Sequence, residues 1–579
     1  LLFDEYTETE LSDAEHIIAW ASKQSWSNGN IGMMGISWGG FNSLQVAFRR
    51  PKALKAIITL CSTVDRYTDD IHYKGGCLLN ENLGWGATML SYSSRPPDPL
   101  IVGKKWKKMW LERLENQPHL SDIWLKHQKR DKYWKHGSVC EDYSKLETPI
   151  LAIGGWGDAY KNAVPELVEN AKAKGIIGPW VHKYPHFAVP KPQIGFLQEA
   201  IRWWDRWLKG IDNGCETDPD YRAYVMKGEP PKSSYNFRDG YWIKEDRWPS
   251  QASKNKKLFL NSNNVLSFSN KKNKCQLGVI DSPQHCGLKG GEYCAIWLGP
   301  ELPGDQRLDD AFSLCFDTKA LSLEEDIVGS PELTITLEAN SPNGQLAVRL
   351  CDVFPDGKSS RITYGILNLR FRESLDSPKN ISLGQEFTVK IKLDHIAYRL
   401  PKGNKLRLSL SNAYWPLVWP VNNPAKLFVK KGYLSLPLRQ SARSDEWVFP
   451  ESVASKPWQG KEIRKPRNKR QVLFDEATDE VFLDIEDDFG SYKDLQNNLV
   501  ISSTAREKWS IHPHDPLSAK GETHWTEERS RGDWSIRTET FSSMTSDKSY
   551  FYLKARVEAY EKGKLIFKKK MESKIKREL

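Results

Sequence analysis

The amino-acid sequence predicts an α/β domain followed by antiparallel β structure. Two short apolar segments, 31–34 (IGMM) and 53–60 (ALKAIITL), have a helical segment between them, an order typical of a buried parallel sheet. After residue 214 the helical periodicity gives way to short strand-like segments separated by turn residues, which predict a β-sandwich. The clearest of these are 333–339, 345–353, 386–394 and 405–412. At 579 residues the chain is too long for one core, so several domains are expected.

The α/β part can be followed element by element. Ser12 and Glu15 form a capping-box pattern, which predicts a helix over 12–23. Apolar runs then predict strands at 31–34, 53–60, 149–155 and 175–180. Helical periodicity predicts a helix through Phe48 after the first strand, and further helices at 161–172 and 193–208. Gly210 is expected to end the last helix, because glycine favours the left-handed conformation there.

Two regions interrupt or follow this pattern. Between 66 and 146 the βαβ order stops, and helices at 104–115 and 120–134, rich in Trp and charge, predict an inserted cap. The expected domain limits are 1–65 and 147–213 for the core, 66–146 for the helical cap, 214–455 for a sandwich, 456–471 for a basic solvated linker, and 472–579 for a small β-rich unit. The alternating segment 550–560 supports the last of these.

The pattern Gly35-x-Ser37-x-Gly39 lies between a predicted strand and a predicted helix. A turn this sharp admits only small residues beside the serine, so it lifts the Ser37 hydroxyl clear of the sheet and directs the N–H of Trp38 towards a developing oxyanion. The bare motif is common by chance. Its strand–turn–helix context is what favours a nucleophile.

A serine nucleophile needs a base and an acid, each placed after a later strand. Asp158 follows the strand that ends at Gly155, and His182 follows the next one. His182 would take the serine proton, while Asp158 would orient the imidazole and stabilise its charged form. Two alternatives stay open: a role of Asp158 as no more than the cap of the following helix, and His186 in place of His182 as the base.

Four segments together resemble a known family: GMMGISWGGFNSLQVAFRRP, LAIGGWGDAY, GPWVH and RWWDRWLKG. They are similar to the cocaine-esterase-like (CocE/NonD) hydrolases, relatives of X-Pro dipeptidyl-peptidases and α-amino-acid ester hydrolases. DVFPDGKSSRITYGILNLRFRES and AYRLPKGNKLRLSLSNAYWPLVWP extend the resemblance to about residue 450. It implies an α/β-hydrolase core, a helical cap and a C-terminal jelly roll, with Ser37, Asp158 and His182 as the triad and Trp38 as one oxyanion donor.

The resemblance also implies a second oxyanion donor, a tyrosine in an early loop. Only one helix precedes the nucleophile strand here, so we expect a core that lacks its first strands and a chain truncated at its N-terminus. A strand meant for the sheet interior would then present unpaired backbone groups at an edge. Loss of one oxyanion donor typically lowers turnover by roughly 100- to 1,000-fold, so weak activity is expected of this chain alone.

Hydrolysis of a small ester, amide or short peptide through an acyl-enzyme is the expected function. Asp65, Asp69 and Asp70 near the cap are candidates for binding a substrate ammonium group, although solvated loop acids would give the same pattern. The alternative is a carbohydrate- or ligand-binding protein with a vestigial hydrolase core. Asp69-Asp70-x-His72 resembles part of a metal site, but no second cluster completes it.

Composition argues against several other classes. The nine cysteines contain no C-x-x-C pair, which predicts reduced thiols in a cytoplasmic protein and neither a metal site nor a cofactor. The net charge of +10 is concentrated in segments without interleaved aromatic residues, so nucleic-acid binding is not expected. No apolar run is long enough to cross a membrane. His512 and His514 fall in a Pro-rich loop and are expected to be bystanders.

Overall fold

The computed structural model describes residues 3–271, 276–296, 299–440 and 443–578. Its first part alternates strands and helices. The helices are α1 (Glu8–Ala21), α2 (Trp38–Arg49), α3 (Glu81–Ser93), α4 (Pro99–Val102), α5 (Trp106–Asn116), α6 (Leu120–Leu125), α7 (Lys132–Lys135), α8 (Ala163–Asn170) and α9 (Phe196–Lys209). The strands are β1 (Ile31–Ile36), β2 (Leu54–Leu60), β3 (Tyr73–Lys74), β4 (Cys77–Leu78), β5 (Ile150–Gly155), β6 (Ala173–Gly178) and β7 (Tyr221–Lys227).

Five of these strands form a parallel sheet in the order β1–β2–β5–β6–β7. The central strand β5 is buried along its whole length, which explains why its sequence is continuously apolar. Among the described residues β1 pairs only with β2 and therefore forms one edge. The strands predicted at 31–34, 53–60, 149–155 and 175–180 are present as β1, β2, β5 and β6, whereas β7 lies beyond residue 213, in the part of the chain assigned to the sandwich. The carboxyl ends of neighbouring parallel strands lie at one rim, and this is where side chains that follow them can meet.

The first helix begins earlier than expected. Thr7, not Ser12, precedes α1, and its hydroxyl accepts a hydrogen bond from the N–H of Glu10 at 3.4 Å. Ser12 lies inside the helix and donates to the carbonyl of Thr9. The capping box at Ser12 was therefore the wrong start. At the other end of the sheet region, Gly210 has a φ of 72° and ends α9 as predicted.

The helical insertion between β2 and β5 differs from the prediction in detail. Helix α5 lies where a helix was expected, but the predicted helix over 120–134 is two short ones, α6 and α7, because Asp131 caps a new helix through the N–H of Tyr133. Helix α3 was missed altogether. Its glycines hid the helical pattern, and Gly86 is required because a side chain there would clash with the Ser121 hydroxyl of α6.

The next part of the chain is almost entirely antiparallel β structure. Its strands are β8 (Gly240–Glu245), β9 (Ser253–Asn261), β10 (Val265–Ser267), β11 (Gly278–Ile280), β12 (Leu314–Asp317), β13 (Glu325–Gly329), β14 (Glu332–Ala339), β15 (Gln345–Val353), β16 (Ser359–Asn368), β17 (Phe387–Lys392), β18 (Ile396–Leu400), β19 (Lys405–Ser411) and β20 (Leu427–Arg439), with one short helix, α10 (Arg307–Ala311). One layer pairs β16–β15–β19–β12 and another pairs β17–β14–β20–β9. This agrees with the all-β sandwich that the sequence predicts.

The last part is a second, separate sheet. It consists of β21 (Gly460–Arg464), β22 (Arg467–Phe474), β23 (Val481–Asp494), β24 (Val500–His512), β25 (Asp515–Arg531), β26 (Trp534–Ser546), β27 (Tyr550–Glu561) and β28 (Lys564–Lys576). Strands β23 to β28 form an antiparallel meander. The segment 456–471, expected to be a solvated linker, instead contains β21 and the start of β22, and both pair with β23. Most of its basic side chains remain exposed, but Arg470 of β22 is largely buried and pairs with Glu292.

Apolar faces join this last sheet to the helical insertion. Leu83 of α3 packs with Trp509 of β24, and Trp110 and Leu114 of α5 pack with Val557 of β27. Within the described ranges, no helix combines the length and apolar character needed to cross a bilayer.

Candidate active site

Ser37 lies in a strained turn between β1 and α2. Its φ of 57° and ψ of −126° are unusual for a residue with a side chain, and its N–H donates to the Leu60 carbonyl at 3.0 Å. A side chain at Gly35 would clash with the backbone of Gly39, and one at Gly40 would press against the Leu60 carbonyl. The glycines are therefore what allow α2 to start so abruptly after β1.

Asp158 and His182 meet at the rim of the parallel sheet. Asp158 follows β5 and His182 follows β6, and the Nδ1 atom of His182 lies 2.9 Å from Oδ1 of Asp158. Asp158 is fully buried and His182 is 8% exposed. Burial raises the pKa of Asp158, but the charge and hydrogen bond of His182 outweigh it and hold that pKa below its usual value. Asp158 is therefore an anion beside the imidazole.

Two thiols lie against the Asp158 carboxylate. Cys294 Sγ is 3.8 Å from Asp158 Oδ1, and the thiol of Cys61 lies within 4.8 Å of the ligand atoms of both Asp158 and His182. Three such groups have the spacing of a metal site. Burial and the charge of Asp158 raise the pKa of Cys61 well above its usual value, however, so this thiol stays protonated and does not fit a metal ligand.

Ser37 and His182 line the same cavity, which has a volume of about 90 Å³. Its lining residues are Glu5, Tyr6, Ser37, Trp38, Asp70, Ile71, Glu81, Gly84, Trp85, Thr88, Tyr160, His182, Glu292, Cys294, Ile296, Glu301, Ile485, Asp487, Ala505, Glu507 and Trp525. A second cavity of about 110 Å³ lies against the sandwich and includes neither Ser37 nor His182. The first is therefore the place where a substrate can reach both side chains.

Potential hydrogen-bond donors surround Ser37 in this cavity. Trp38 is the first residue of α2, so its backbone N–H has no acceptor within the helix. Its indole is anchored by Glu10, which accepts from Nε1 at 2.6 Å. Tyr6 and Tyr160 also line the cavity, and neither phenol hydroxyl is hydrogen-bonded to a described residue. No local sequence pattern marks Tyr6 or Tyr160 as a residue of this cavity.

The three acids proposed for substrate binding have different surroundings. Asp65 pairs with Arg130 at 3.2 Å, and Asp69 pairs with Lys74 and accepts from Asn162 at 2.8 Å. Both are thus engaged in networks away from the cavity. Only Asp70 lines it.

Asp70 is 2% exposed, and burial raises its pKa to about 7. The nearby His72 belongs to another contact: its Nε2 lies 3.0 Å from Oε2 of Glu5, whose Oε1 accepts from the indole of Trp85 at 2.7 Å. The Asp69-Asp70-x-His72 sequence therefore does not form a metal cluster among the described residues.

The other histidines lie elsewhere. His186, the rival to His182, stacks on Phe196 with ring centroids 5.5 Å apart and does not line the cavity. His512 ends β24, and His514 lies exposed in the following turn.

Sequence reasoning missed several other residues that line the cavity with Ser37. Glu81 comes from α3, and Asp487, Glu507 and Trp525 come from β23, β24 and β25. No local pattern marks these side chains, because they reach the cavity only through docking of the last sheet onto the helical insertion.

Comparison with known proteins shows the class of enzyme to which the chain belongs. Residues 2–184 match the family model of the X-Pro dipeptidyl-peptidase (S15 family), and residues 213–434 match the X-Pro dipeptidyl-peptidase C-terminal non-catalytic domain. The chain is therefore a serine hydrolase. Residues beyond 434, including the last sheet, lie outside both family models.

Individual relatives show which serine hydrolases the chain resembles. The chain is 25% identical to the cocaine esterase of Rhodococcus sp. (strain MB1 Bresler) over 452 residues, covering 70% of this chain and 76% of the esterase. It is 21% identical over 426 residues to a putative Xaa-Pro dipeptidyl-peptidase of Bacillus cereus, covering 72% and 66% of the two chains. The chain is therefore similar to cocaine esterase, to X-Pro dipeptidyl-peptidases and to α-amino-acid ester hydrolases, and it shares a fold with a CocE/NonD family hydrolase.

Solved structures share the fold. A CocE/NonD family hydrolase from Staphylococcus aureus superposes with a TM-score of 0.58 at 16% identity, covering 76% of this chain and 77% of that chain. An α-amino acid ester hydrolase superposes with a TM-score of 0.58 at 21% identity, covering 74% and 80%.

Proposed function

We propose that this chain hydrolyses an ester or amide bond through an acyl-enzyme, with Ser37 as the nucleophile, His182 as the general base and Asp158 as the orienting acid. The observation that carries the proposal is the 2.9 Å contact between His182 Nδ1 and Asp158 Oδ1 at the cavity that Ser37 lines. With Nδ1 engaged by Asp158, the Nε2 atom of His182 is the one left to accept the serine proton.

The reaction then follows from the chemistry of these groups. Ser37 attacks the carbonyl carbon while His182 takes its proton, and the N–H of Trp38 stabilises the oxyanion of the tetrahedral intermediate. The protonated His182 next gives its proton to the leaving group, which leaves an acyl-serine. Water attacks that ester with the same base, and the acid product departs as Ser37 is restored. Ionised Asp158 stabilises the imidazolium at both stages.

The substrate class is proposed from the relatives. Their names include an esterase, Xaa-Pro dipeptidyl-peptidases and an α-amino acid ester hydrolase, so this chain is proposed to act on a small ester or a short peptide. The cavity volume of about 90 Å³ suits a short acyl group.

A fluorophosphonate probe tests the assignment, because it reacts covalently with an activated serine. We expect the unmodified protein to be labelled and Ser37→Ala to show no labelling. His182→Ala should react at least 100-fold more slowly, since the serine loses its base. His186→Ala is the matched control and should react at the unmodified rate. Undiminished labelling of Ser37→Ala would contradict the proposal.

A further inference from the structure

The last sheet is held firmly against the helical insertion. Arg531 binds Asp98 through both guanidinium nitrogens, at 2.8 and 2.7 Å, and Arg95 Nη2 lies 2.6 Å from Oε1 of Glu527, whose side chain is fully buried. Bidentate and buried charge pairs of this kind fix geometry as well as contributing energy. The strands that face the cavity are therefore a fixed wall.

The cavity that this wall borders is acidic, and the wall itself contributes Asp487 and Glu507. Seven carboxylate residues line the cavity and, among the described lining residues, no lysine or arginine accompanies them. Some are already neutralised or held: Glu5 binds His72, and Glu292 pairs with Arg470, whose charge also acts on Glu81, Asp487 and Glu507. One guanidinium thus faces four carboxylates. Glu81 and Glu507 stay close enough for their charges to interact, and burial together with Glu507 raises the pKa of Glu81 to about 8. Carboxylates collected in a closed space are costly unless a cation compensates them.

A second feature of the same wall is an unused donor. Trp525 is 3% exposed and lines the cavity, yet its indole N–H has no hydrogen-bond acceptor among the described residues. Buried indole N–H groups normally have a partner. The ring also offers a π face, which attracts organic cations. A ligand with both a positive charge and an acceptor atom would compensate the carboxylates and accept a hydrogen bond from the indole of Trp525.

We propose that the last sheet, which lies outside both matched family models, forms part of the substrate site, and that Glu507 and Trp525, together with Glu81 of α3, are specificity-determining residues that bind a positively charged ammonium group of the substrate. The inference rests on the proposed function, because the cavity is the one that Ser37 lines. Glu507 is well placed for this role: the indole of Trp509 donates to its Oε2 at 2.9 Å and fixes the carboxylate.

Two matched fluorophosphonate probes test the inference on the full chain. One has a trimethylammonium end and the other a tert-butyl end, so they differ in charge but have nearly the same shape. The measured quantity is the ratio of their second-order labelling rates, cationic over neutral. With labelling measured at pH 9, above the Glu81 pKa of about 8, we expect a ratio well above one for the unmodified protein. The ratio should fall on the order of tenfold in Glu507→Gln and in Glu81→Gln, because an ion pair is replaced by a neutral contact. Trp525→Phe should lower the ratio less, since it keeps the ring.

Glu528→Gln is the matched control. Glu528 is on the same strand as Trp525 but is exposed. The ratio of labelling rates measured for Glu528→Gln should therefore equal that of the unmodified protein. An unchanged ratio in both Glu507→Gln and Glu81→Gln would overturn the inference. If Glu507→Gln does not fold, Glu81→Gln decides alone, since Glu81 lies on a different element. The two proposals separate cleanly: equal rates with both probes contradict this inference alone, whereas no labelling of the unmodified protein contradicts the hydrolase proposal and this inference with it.

Discussion

The imidazole of His182 is 2.9 Å from the carboxylate of Asp158, although 24 residues separate them in the chain. The contact exists because β5 and β6 are adjacent and parallel, so the residues that follow them emerge at the same rim. Ser37 reaches the cavity beside this pair from the end of β1. Sheet order, rather than sequence distance, therefore controls which side chains meet.

Asp158→Asn should lower turnover of a p-nitrophenyl ester by on the order of 10⁴-fold. The amide has nearly the shape of the carboxylate, but it neither holds the histidine in the productive tautomer nor stabilises its charged form. The kinetic constant kcat, measured at saturating substrate, is the quantity to compare. Asp246→Asn, at an exposed position after β8, should have the parent kcat. A fully active Asp158→Asn variant would remove Asp158 from the mechanism.

The two glycines of the serine turn should respond oppositely to alanine. In Gly35→Ala the new methyl group would clash with the Gly39 backbone, so we expect the free energy of unfolding to fall by about 1–3 kcal/mol. In Gly39→Ala the methyl group would meet no atom within 4 Å, and alanine favours α2, so stability should be unchanged or higher by up to about 1 kcal/mol.

Urea unfolding of both variants, followed by tryptophan fluorescence, measures this difference. Equal destabilisation by the two substitutions would show that open space around a residue does not distinguish these positions.

Residues that act through local patterns were predictable from the sequence. The Ser37 turn needs small neighbours within a few residues, and Asp158 and His182 follow apolar strands, so short windows contain the signal. The all-β sandwich was predictable for the same reason: strands such as the one predicted at 386–394 alternate between buried and exposed residues. The location of Trp38 at the start of α2 followed directly from the turn.

Features created by distant packing were not predictable in this way. The glycines of α3 look like helix breakers in the sequence. The reason for a glycine at position 86 is visible only in the structure, where Ser121 of α6 leaves no room for a side chain. Glu81 and Glu507 share one cavity because an entire sheet docks on α3, which no spacing within the chain encodes. The basic composition of 456–471 indicated the exposure of most of its side chains, but it hid the burial of Arg470 and the pairing of β21 and β22 with β23.

Asp394 provides a prediction about stability and pH. It is 4% exposed, lies 2.8 Å from Nζ of Lys74, and accepts a hydrogen bond from Asn162 at 2.9 Å. Burial raises the pKa of Asp394, but the charges of Lys74 and Lys161 outweigh it and bring that pKa to about 2. Because the folded pKa is below the unfolded value of about 3.9, the ionised carboxylate stabilises the fold above pH ~4, and this stability is lost as the pH falls towards 2.

Asp394→Asn should therefore lower the free energy of unfolding by about 3 kcal/mol at pH 7, because Lys74 keeps Asp69 as its partner but loses a second buried carboxylate. The difference between variant and parent should shrink as the pH falls from 4 towards 2, where Asp394 of the parent takes up a proton. Urea unfolding at pH 7, 5 and 3 measures this change. Asp376→Asn, which removes an exposed partner of Lys135, should cost less than about 0.5 kcal/mol. A difference for Asp394→Asn that stays constant across this pH range would show that its charge is not what stabilises the network.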